Sequence, residues 1–219
     1  MQIFTTEKDL KLFLDSLRNN NIALVPTMGG LHEGHLSLVD KAKSLAQIVV
    51  VSIFVNPTQF ARGEDFDDYP NTYDSDKLLL ESKKVDALFL PSKDEIYPHG
   101  TESDYKVGDI GQILCGAFRP THFNGVAQVV RRFFEIVNPN YAVFGEKDFQ
   151  QLLIIKSLVK NLNFKIKIES ISTQREEDGL AMSTRNQYLS DLDREKAPHF
   201  YSVLSDTRDA LLDGKSIYD

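Results

Sequence analysis

The feature that most constrains the fold of this chain is an alternation of short apolar runs with amphipathic stretches. Short runs rich in β-branched residues predict strands, and apolar residues spaced three or four positions apart predict helices. The predicted strands cover residues 22–26, 48–55, 85–90, 141–145 and 164–171, and the predicted helices cover 34–46, 72–84, 125–137 and 148–160. This order predicts right-handed βαβ crossovers and an α/β fold whose parallel sheet is covered on both faces.

The alternation ends near residue 171, and this change indicates a domain boundary. We expect one α/β domain over residues 1–174 and the start of a smaller domain over 175–219. The second segment carries a Ser-x-x-Asp capping signal at Ser190 and Asp193, followed by a charged helical pattern.

Charge and composition argue against several classes of function. The chain has 219 residues and a net charge of −7, which disfavours nucleic-acid binding because such binding uses clustered Lys and Arg. No apolar run approaches the ~20 residues of a membrane span, and the N-terminus lacks the pattern of a signal peptide. The single cysteine, Cys115, fits a reducing compartment. We therefore expect a cytoplasmic protein that binds neither nucleic acid nor membrane, with Cys115 as a small packing residue.

The residues after the first predicted strand are the first candidates for chemistry, because ligands of such sheets bind beyond the carboxyl ends of the strands. There the sequence reads PTMGGLHEGHLSLV, in which Gly29 and Gly30 can turn the chain tightly. A helix that starts near His32 would offer free N–H groups to an anion, and His32 and His35 would share one of its faces. Imidazoles there can donate hydrogen bonds to phosphates as pyrophosphate leaves. Their spacing of three differs from that of the zinc-protease motif, so this pair predicts no metal site.

Polar residues also follow the later strands. Asn56 and Gln59 come after the second strand, where uncharged amides can bind hydroxyls and a carboxylate. Lys147 lies where the strand at 141–145 leads into a helix, and a lysine there can hold a phosphate as a mobile charge. One of Gln150 and Gln151 can face back into the cleft. A cluster able to bind phosphate oxygens follows at Ser183, Thr184 and Arg185.

The stretch GEDFDDYPNTYDSD, residues 63–76, is rich in carboxylates. We predict that it forms a solvated acidic loop. A magnesium contact by one of its carboxylates stays open, and no residue is assigned to it.

Six segments, taken together and in this order, resemble the pantoate–β-alanine ligase family, also called the pantothenate synthetases. The segments are PTMGGLHEGHLSLV, FVNPTQF, YPNTYDSD, FRPTHFNGVAQVV, FGEKDFQQL and REEDGLAMSTRN. The resemblance implies a Rossmann-like parallel sheet of the nucleotidylyltransferase type with a smaller C-terminal lid domain, of which 175–219 would be the start, and it implies a homodimer. It also implies condensation of (R)-pantoate with β-alanine through a pantoyl adenylate. ATP would be cleaved to AMP and pyrophosphate, with Mg2+ accompanying the ATP.

The same resemblance assigns roles to residues of this chain. Catalysis would involve His35 as an acid, with His32, Lys147 and Arg185 beside it. Gln59 and Gln151 would bind pantoate, and Gln59 would also lie near β-alanine. The ATP site would comprise Met28, Gly29, Gly30, Leu31, His32, Glu33, Gly34, His35, Gly145, Glu146, Lys147, Asp148, Gln174, Met182, Ser183, Thr184 and Arg185. Adenine would meet main-chain groups around Gln174 and Met182, and the ligands of the magnesium ion remain unassigned.

Two other functions compete with this interpretation. A nucleotidyltransferase of the same superfamily would use similar histidine chemistry but keep the nucleotide in its product, and Gln59 and Gln151 favour the ligase. A non-catalytic nucleotide-binding module would need only the α/β pattern and the glycine turn. The combination of His32, His35, Lys147 and Arg185 argues against such a module.

Overall fold

The computed structural model describes residues 1–102 and 104–216. Its described residues contain a six-stranded parallel sheet in the order β1-β4-β3-β2-β5-β6. The strands are β1 (Gln2–Phe4), β2 (Ile22–Thr27), β3 (Ile48–Ile53), β4 (Ala87–Phe89), β5 (Tyr141–Gly145) and β6 (Lys167–Ile171). The predicted α/β class is confirmed.

Helices connect the strands and continue beyond the sheet. They are α1 (Glu7–Asp15), α2 (Glu33–Leu45), α3 (Tyr73–Ser82), α4 (Lys93–Ile96), α5 (Cys115–Phe118), α6 (His122–Val137), α7 (Phe149–Asn161), α8 (Asp191–Lys196) and α9 (Pro198–Leu212). Short 3-10 turns occupy Pro57–Gln59, Asp109–Gly111, Glu146–Asp148 and Thr184–Tyr188. Within the described residues, no helix has the length and apolar character needed to cross a membrane.

The central strand β2 shows why its sequence is a continuous apolar run rather than an alternating one. Ala23 and Val25 pack into a cluster with residues of α2, whereas Ile22 and Leu24 pack into the cluster formed with α6 and α7. Both faces of β2 are therefore buried, as expected for a parallel sheet with helices on each side.

The strand order places a ligand crevice next to β2. The chain runs from β2 to β3 on one side, while β5 pairs with β2 on the other side. The order of a doubly wound sheet reverses at such a point, and the loops at the carboxyl ends of its strands diverge there. The loops after β2, β3 and β5 therefore share one edge of the sheet.

Some details differ from the sequence predictions, beyond shifts of two or three residues at the ends of β3, β4 and α6. β1 was not predicted, and its three residues form an edge strand beside β4. The last strand begins at Lys167 rather than 164, after Asn163 adopts a left-handed backbone with φ 55°. Cys115 was expected to be a packing residue, but it is exposed at the start of α5. The proposed domain division at residue 174 stays a prediction.

Candidate active site

A single cleft at the carboxyl edge of the sheet brings together most of the predicted site residues. It lies between the loops after β2, β3 and β5 and the segment that follows β6. The predicted residues that line it are Met28, His32, Gly34, His35, Gln59, Gly145, Lys147, Asp148, Gln151, Gln174, Met182, Ser183, Thr184 and Arg185. The cleft walls do not include Gly29, Gly30, Leu31, Glu33 or Glu146.

The two histidines at the start of α2 cap the helix and face each other. His32 Nδ1 accepts the Gly34 N–H at 3.1 Å, and His35 Nδ1 accepts the His32 N–H at 3.3 Å. The ring centroids are 4.1 Å apart. Because each Nδ1 accepts a hydrogen bond, each neutral ring carries its proton on Nε2. The pair therefore offers two N–H donors, one from each ring.

Both imidazoles are held in the neutral form. Burial lowers the pKa of His35 to about 3, with further lowering by His32 and Lys147. Burial also lowers the pKa of His32, and the charge of Lys147 adds to that effect. Lys147 lies in the turn Glu146–Asp148 after β5 and lines the same cleft as the two histidines. Its charge acts on both rings, so the ammonium group and the imidazoles serve one region of the cleft. A phosphate there would meet one cation and two neutral donors.

The glycine turn before α2 is fixed by a carboxylate that sequence reasoning missed. Asp76 is only 1% exposed, and it accepts the N–H groups of Gly30 and Leu31 at 2.9 and 2.8 Å. Thr72 Oγ1 donates to the same carboxylate at 3.0 Å. The expectation of a solvated acidic loop is therefore wrong at Asp76. A buried carboxylate needs such donors, and the tightly turned backbone supplies them.

The expected free N–H groups at this turn are largely used within the protein. The amides of Gly30 and Leu31 bond Asp76, and that of Gly34 bonds His32. Thr184 Oγ1 also donates to the Gly30 carbonyl at 2.8 Å, so the later segment seals the turn from the other side. A phosphate bound at this place would therefore meet the side chains of His32 and His35 rather than these backbone N–H groups.

The turn after β3 holds Gln59 by a buried amide network. Asn56 is 1% exposed; its Nδ2 donates to Gln59 Oε1 at 3.1 Å, and its Oδ1 accepts from the Tyr97 hydroxyl at 2.7 Å. Burial raises the pKa of Tyr97 to about 12, so this hydroxyl remains a donor. Gln59 Nε2 approaches Met28 Sδ at 3.0 Å, a weak acceptor. The amide N–H groups of Gln59 thus face the cleft with little competition.

Two side chains from the start of α6 and the loop before it complete this wall. His122 Nδ1 lies 2.8 Å from the main-chain carbonyl oxygen of Gln59, and Arg119 also donates to that oxygen. Arg119 forms a two-pronged ion pair with Glu64, which lowers the pKa of that carboxyl. Both residues line the cleft. They lie within the quoted FRPTHFNGVAQVV segment, but sequence reasoning gave them no role.

The segment after β6 forms the remaining edge of the cleft and is built on a hairpin. The Met182 N–H donates to the Gln174 carbonyl at 2.9 Å, so these two backbone groups pair with each other. Arg185 forms a two-pronged ion pair with Asp65 and stacks over the ring of Tyr69 at 5.2 Å. The guanidinium predicted to hold phosphate is therefore paired with a carboxylate here. Its hydrogen bonds lower the pKa of Asp65.

The neighbouring glutamines of α7 have separate tasks. Gln151 lines the cleft, as predicted for one of the two. Gln150 faces away and fixes the loop before α5, since its amide bonds the carbonyls of Ile110 and Ile113 and the N–H of Cys115.

Comparison with known proteins identifies the family of this chain. The family model described as pantoate-beta-alanine ligase matches residues 2–218. The chain belongs to the pantoate–β-alanine ligase family. The predicted family and its ligase reaction, the ATP-dependent joining of pantoate and β-alanine to form pantothenate, are thereby confirmed.

Individual relatives agree with this assignment. The pantothenate synthetase of Vesicomyosocius okutanii is 54% identical over 200 residues, which cover 91% of this chain and 71% of that protein. The Laribacter hongkongensis enzyme is 50% identical over 220 residues, or 100% of this chain and 78% of that protein.

Solved structures of the family superpose closely on this one. Pantothenate synthetase from Thermus thermophilus has a TM-score of 0.94 and 44% identity, covering 100% of this chain and 78% of that one. The Francisella tularensis ligase, solved as a complex with beta-gamma ATP and beta-alanine, has a TM-score of 0.88 and 44% identity, covering 94% and 79%. The nucleotidylyltransferase-type fold is therefore confirmed.

Proposed function

We propose that the cleft carries out the ligase reaction in two steps, with adenylation of pantoate first. The pantoate carboxylate attacks the α-phosphorus of ATP, and pyrophosphate leaves. The paired Nε2–H donors of His32 and His35 support this role, because they meet developing negative charge as fixed hydrogen-bond donors. Lys147 supplies the positive charge beside them. These three side chains, with Ser183 and Arg185, form the phosphate subsite.

His35 acts in this scheme as a neutral donor rather than as an imidazolium that gives up its proton. Protonating its Nδ1 would break the bond that this atom accepts from the His32 N–H. The low pKa of His35 has the same consequence at neutral pH. A bound phosphate would raise that pKa but would still be met first by Nε2–H.

Pantoate occupies the subsite of Gln59 and Gln151. Asn56 engages Gln59 Oε1, which leaves the Gln59 N–H groups for the substrate's hydroxyls and carboxylate. A site of this kind discriminates strongly, because an analogue that lacks a hydroxyl leaves buried polar groups unpaired.

The pantoyl adenylate then reacts directly with the amine of β-alanine. An acyl-enzyme would need an activated protein nucleophile. Cys115, the chain's single cysteine, does not line the cleft, and within the described residues the Ser183 and Thr184 hydroxyls bond backbone groups rather than a histidine. The acyl group therefore waits as a bound adenylate. The Francisella tularensis relative, solved as a complex with beta-gamma ATP and beta-alanine, supports binding of both substrates by this chain.

Magnesium enters this proposal as a companion of ATP. Among the described residues, no group of three His, Cys, Asp or Glu side chains is placed to hold a metal ion. The ion ordinarily takes most of its ligands from nucleotide phosphates and water, with one or two carboxylates. The cleft lining includes one carboxylate, Asp148, which fits a magnesium ion held mainly by the nucleotide and water. Such an ion would neutralise phosphate charge. The residues that contact it stay unassigned.

The wider setting is also part of the proposal. We expect a cytoplasmic homodimer, as the family resemblance implies. The exposed side chains of Leu114, Phe118 and Phe149 offer apolar surface for such an association. Sedimentation equilibrium of the purified protein measures the assembly directly.

Exchange of labelled pyrophosphate into ATP tests the order of steps. With ATP, magnesium and pantoate, exchange should proceed without β-alanine, because pyrophosphate can attack the bound adenylate. β-Alanine in place of pantoate should give no exchange. A requirement for β-alanine would refute the two-step scheme. Gln151→Ala should reduce exchange through weaker pantoate binding while ATP binding, measured by calorimetry, changes much less.

A further inference from the structure

His122 differs from the other two cleft histidines in the atom that carries its proton. Its Nδ1 lies 2.8 Å from the main-chain carbonyl oxygen of Gln59, and a carbonyl oxygen can only accept a hydrogen bond. Nδ1 must therefore carry the hydrogen, and the neutral ring holds its lone pair on Nε2. In His32 and His35 the arrangement is reversed, because their Nδ1 atoms accept backbone N–H groups. His122 thus offers a proton acceptor on Nε2, whereas His32 and His35 offer donors.

Nε2 of His122 is free to act. In the described part of the chain, this atom has no hydrogen-bond partner, and it is not among the buried polar atoms without one. The ring lines the same cleft as Gln59 and Gln151, on the side of the predicted pantoate subsite. The His122 side chain is therefore placed beside the predicted pantoate subsite.

The second step of the proposed reaction needs such an acceptor. An aliphatic amine is an ammonium ion at neutral pH, since its pKa resembles that of lysine. It has no lone pair until a proton leaves. Resting on the proposed function, we infer that His122 is the general base that takes this proton from the ammonium group of β-alanine.

Bonds and protons are conserved in this step. A proton moves from the ammonium nitrogen to His122 Nε2, and the freed lone pair forms the C–N bond at the acyl carbon of the adenylate. The bond between that carbon and the AMP oxygen breaks, and its electron pair leaves with AMP. The nitrogen's second surplus proton goes to the departing phosphate as the amide forms. The imidazolium then returns its proton to solvent.

The charges around His122 suit a base that is neutral at pH 7. Burial lowers its pKa and the charge of Arg119 adds to this, while the bond to the Gln59 carbonyl and the carboxylates of Glu64 and Asp148 oppose it. The ring of Phe123 also packs against it, with centroids 4.8 Å apart. Asp148 is the rival acceptor in the cleft wall, and its side chain is exposed whereas that of His122 is half-buried.

The test uses His122→Asn, whose amide N–H can still donate to the Gln59 carbonyl but which has no basic nitrogen. Pyrophosphate exchange with pantoate and ATP should stay within about twofold of wild type. Single-turnover transfer to β-alanine from preformed adenylate should fall at least about a hundredfold, the usual range for a general base.

Hydroxylamine, which is neutral at pH 7, should capture the adenylate at a near-wild-type rate. In wild type, transfer should rise with pH through one deprotonation that the variant lacks.

Other results would overturn the inference. An equal loss of exchange and transfer would make His122 a positioning residue for Gln59. An equal loss with hydroxylamine would show that it orients the nucleophile, and unchanged transfer would remove it from the chemistry. An amine-specific loss in Asp148→Asn instead would make that carboxylate the base. If His122→Asn does not fold by circular dichroism, the wild-type pH profiles decide: transfer to β-alanine should rise through a deprotonation that is absent from capture by hydroxylamine, and identical profiles would remove His122 as the base. Absence of exchange in the wild type would refute the two-step scheme itself, separately from the role of His122.

Discussion

The two walls of the cleft are built differently. Following the proposed function, we call residues 28–35 with 182–185 the nucleotide wall, and residues 56–60 with 119–126 the pantoate wall. The nucleotide wall is closed by contacts from far along the chain, such as the bond from Thr184 to Gly30. The pantoate wall is fixed by Asn56, which is 1% exposed, and by close packing of its turn against Gly125 in α6.

The difference shows how one cleft can combine movement with discrimination. Contacts between partly exposed groups are weak and can open without disturbing the core. A nucleotide must enter and pyrophosphate must leave, so a wall that opens suits that side. Recognition of hydroxyls needs donors held in place, which suits a buried network on the other side. The following experiments test this contrast, from the largest expected effect to the smallest.

Asp76 is where the nucleotide wall is tied to the core, and removing it should have the largest effect. Asp76→Ala removes the acceptor of the Leu31 N–H, leaves the Gly30 N–H with only the Thr72 hydroxyl at 3.1 Å, and deprives that hydroxyl of its own acceptor. An unpaired donor costs about 1–3 kcal/mol, and these donors are half-buried, so we expect a loss of about 2 kcal/mol in the free energy of unfolding. Urea denaturation measures it. Glu81→Ala, on the exposed face of the same helix, is the control and should change stability by under about 0.5 kcal/mol.

Gly125 tests whether the pantoate wall is as rigid as its packing indicates. A Cβ added there would lie 2.7 Å from the Gln59 backbone nitrogen and also too close to the Thr58 carbonyl. We expect Gly125→Ala to destabilise the protein by about 1–3 kcal/mol and to raise the KM for pantoate more than that for ATP. Gly108→Ala, where the added atom meets nothing within 4 Å, is the matched control. An equal rise in both KM values would show that the two walls move together.

Sequence patterns predicted the fold well where burial alone determines structure. The apolar runs of β2, β3 and β5 are buried on both faces, so they form continuous signals. β1 was missed because three residues give no periodicity and the strand forms only by pairing with β4.

The candidate site divides in the same way. Residues directly after a strand were found because the sheet edge brings them together. Asp76 was missed because its partner Gly30 lies 46 positions away, and the local density of carboxylates indicated solvent. The proton positions of the histidines follow from individual backbone contacts, which no sequence pattern contains.

The low pKa of His35, in the nucleotide wall, makes the free energy of unfolding depend on pH. Its folded value of about 3 lies below the ordinary 6.5, so between these values the unfolded chain binds a proton that the folded chain does not. Stability is therefore lost as pH falls from about 6.5 towards 3, by about 1.4 kcal/mol per pH unit for one proton. His35→Asn should remove about this much slope in denaturation series between pH 7 and 4. His199→Asn, at an exposed position of α9, should keep the wild-type slope.

The ion pair between Arg185 and Asp65 gives the smallest expected effect and the sharpest test of the movable wall. In the structure, Asp65 accepts two hydrogen bonds from the guanidinium of Arg185. The proposed function assigns this guanidinium to phosphate binding. If Arg185 must leave this partner when ATP binds, the carboxylate competes with the nucleotide. A partly exposed pair is worth up to about 1 kcal/mol, so Asp65→Asn should tighten ATP binding by up to about fivefold, measured by calorimetry. Asp68→Asn, a change in the same acidic stretch, serves as the control for net charge. Weaker binding in Asp65→Asn would mean that the ion pair orients Arg185 towards the phosphates, and the nucleotide wall would then be preassembled like the pantoate wall.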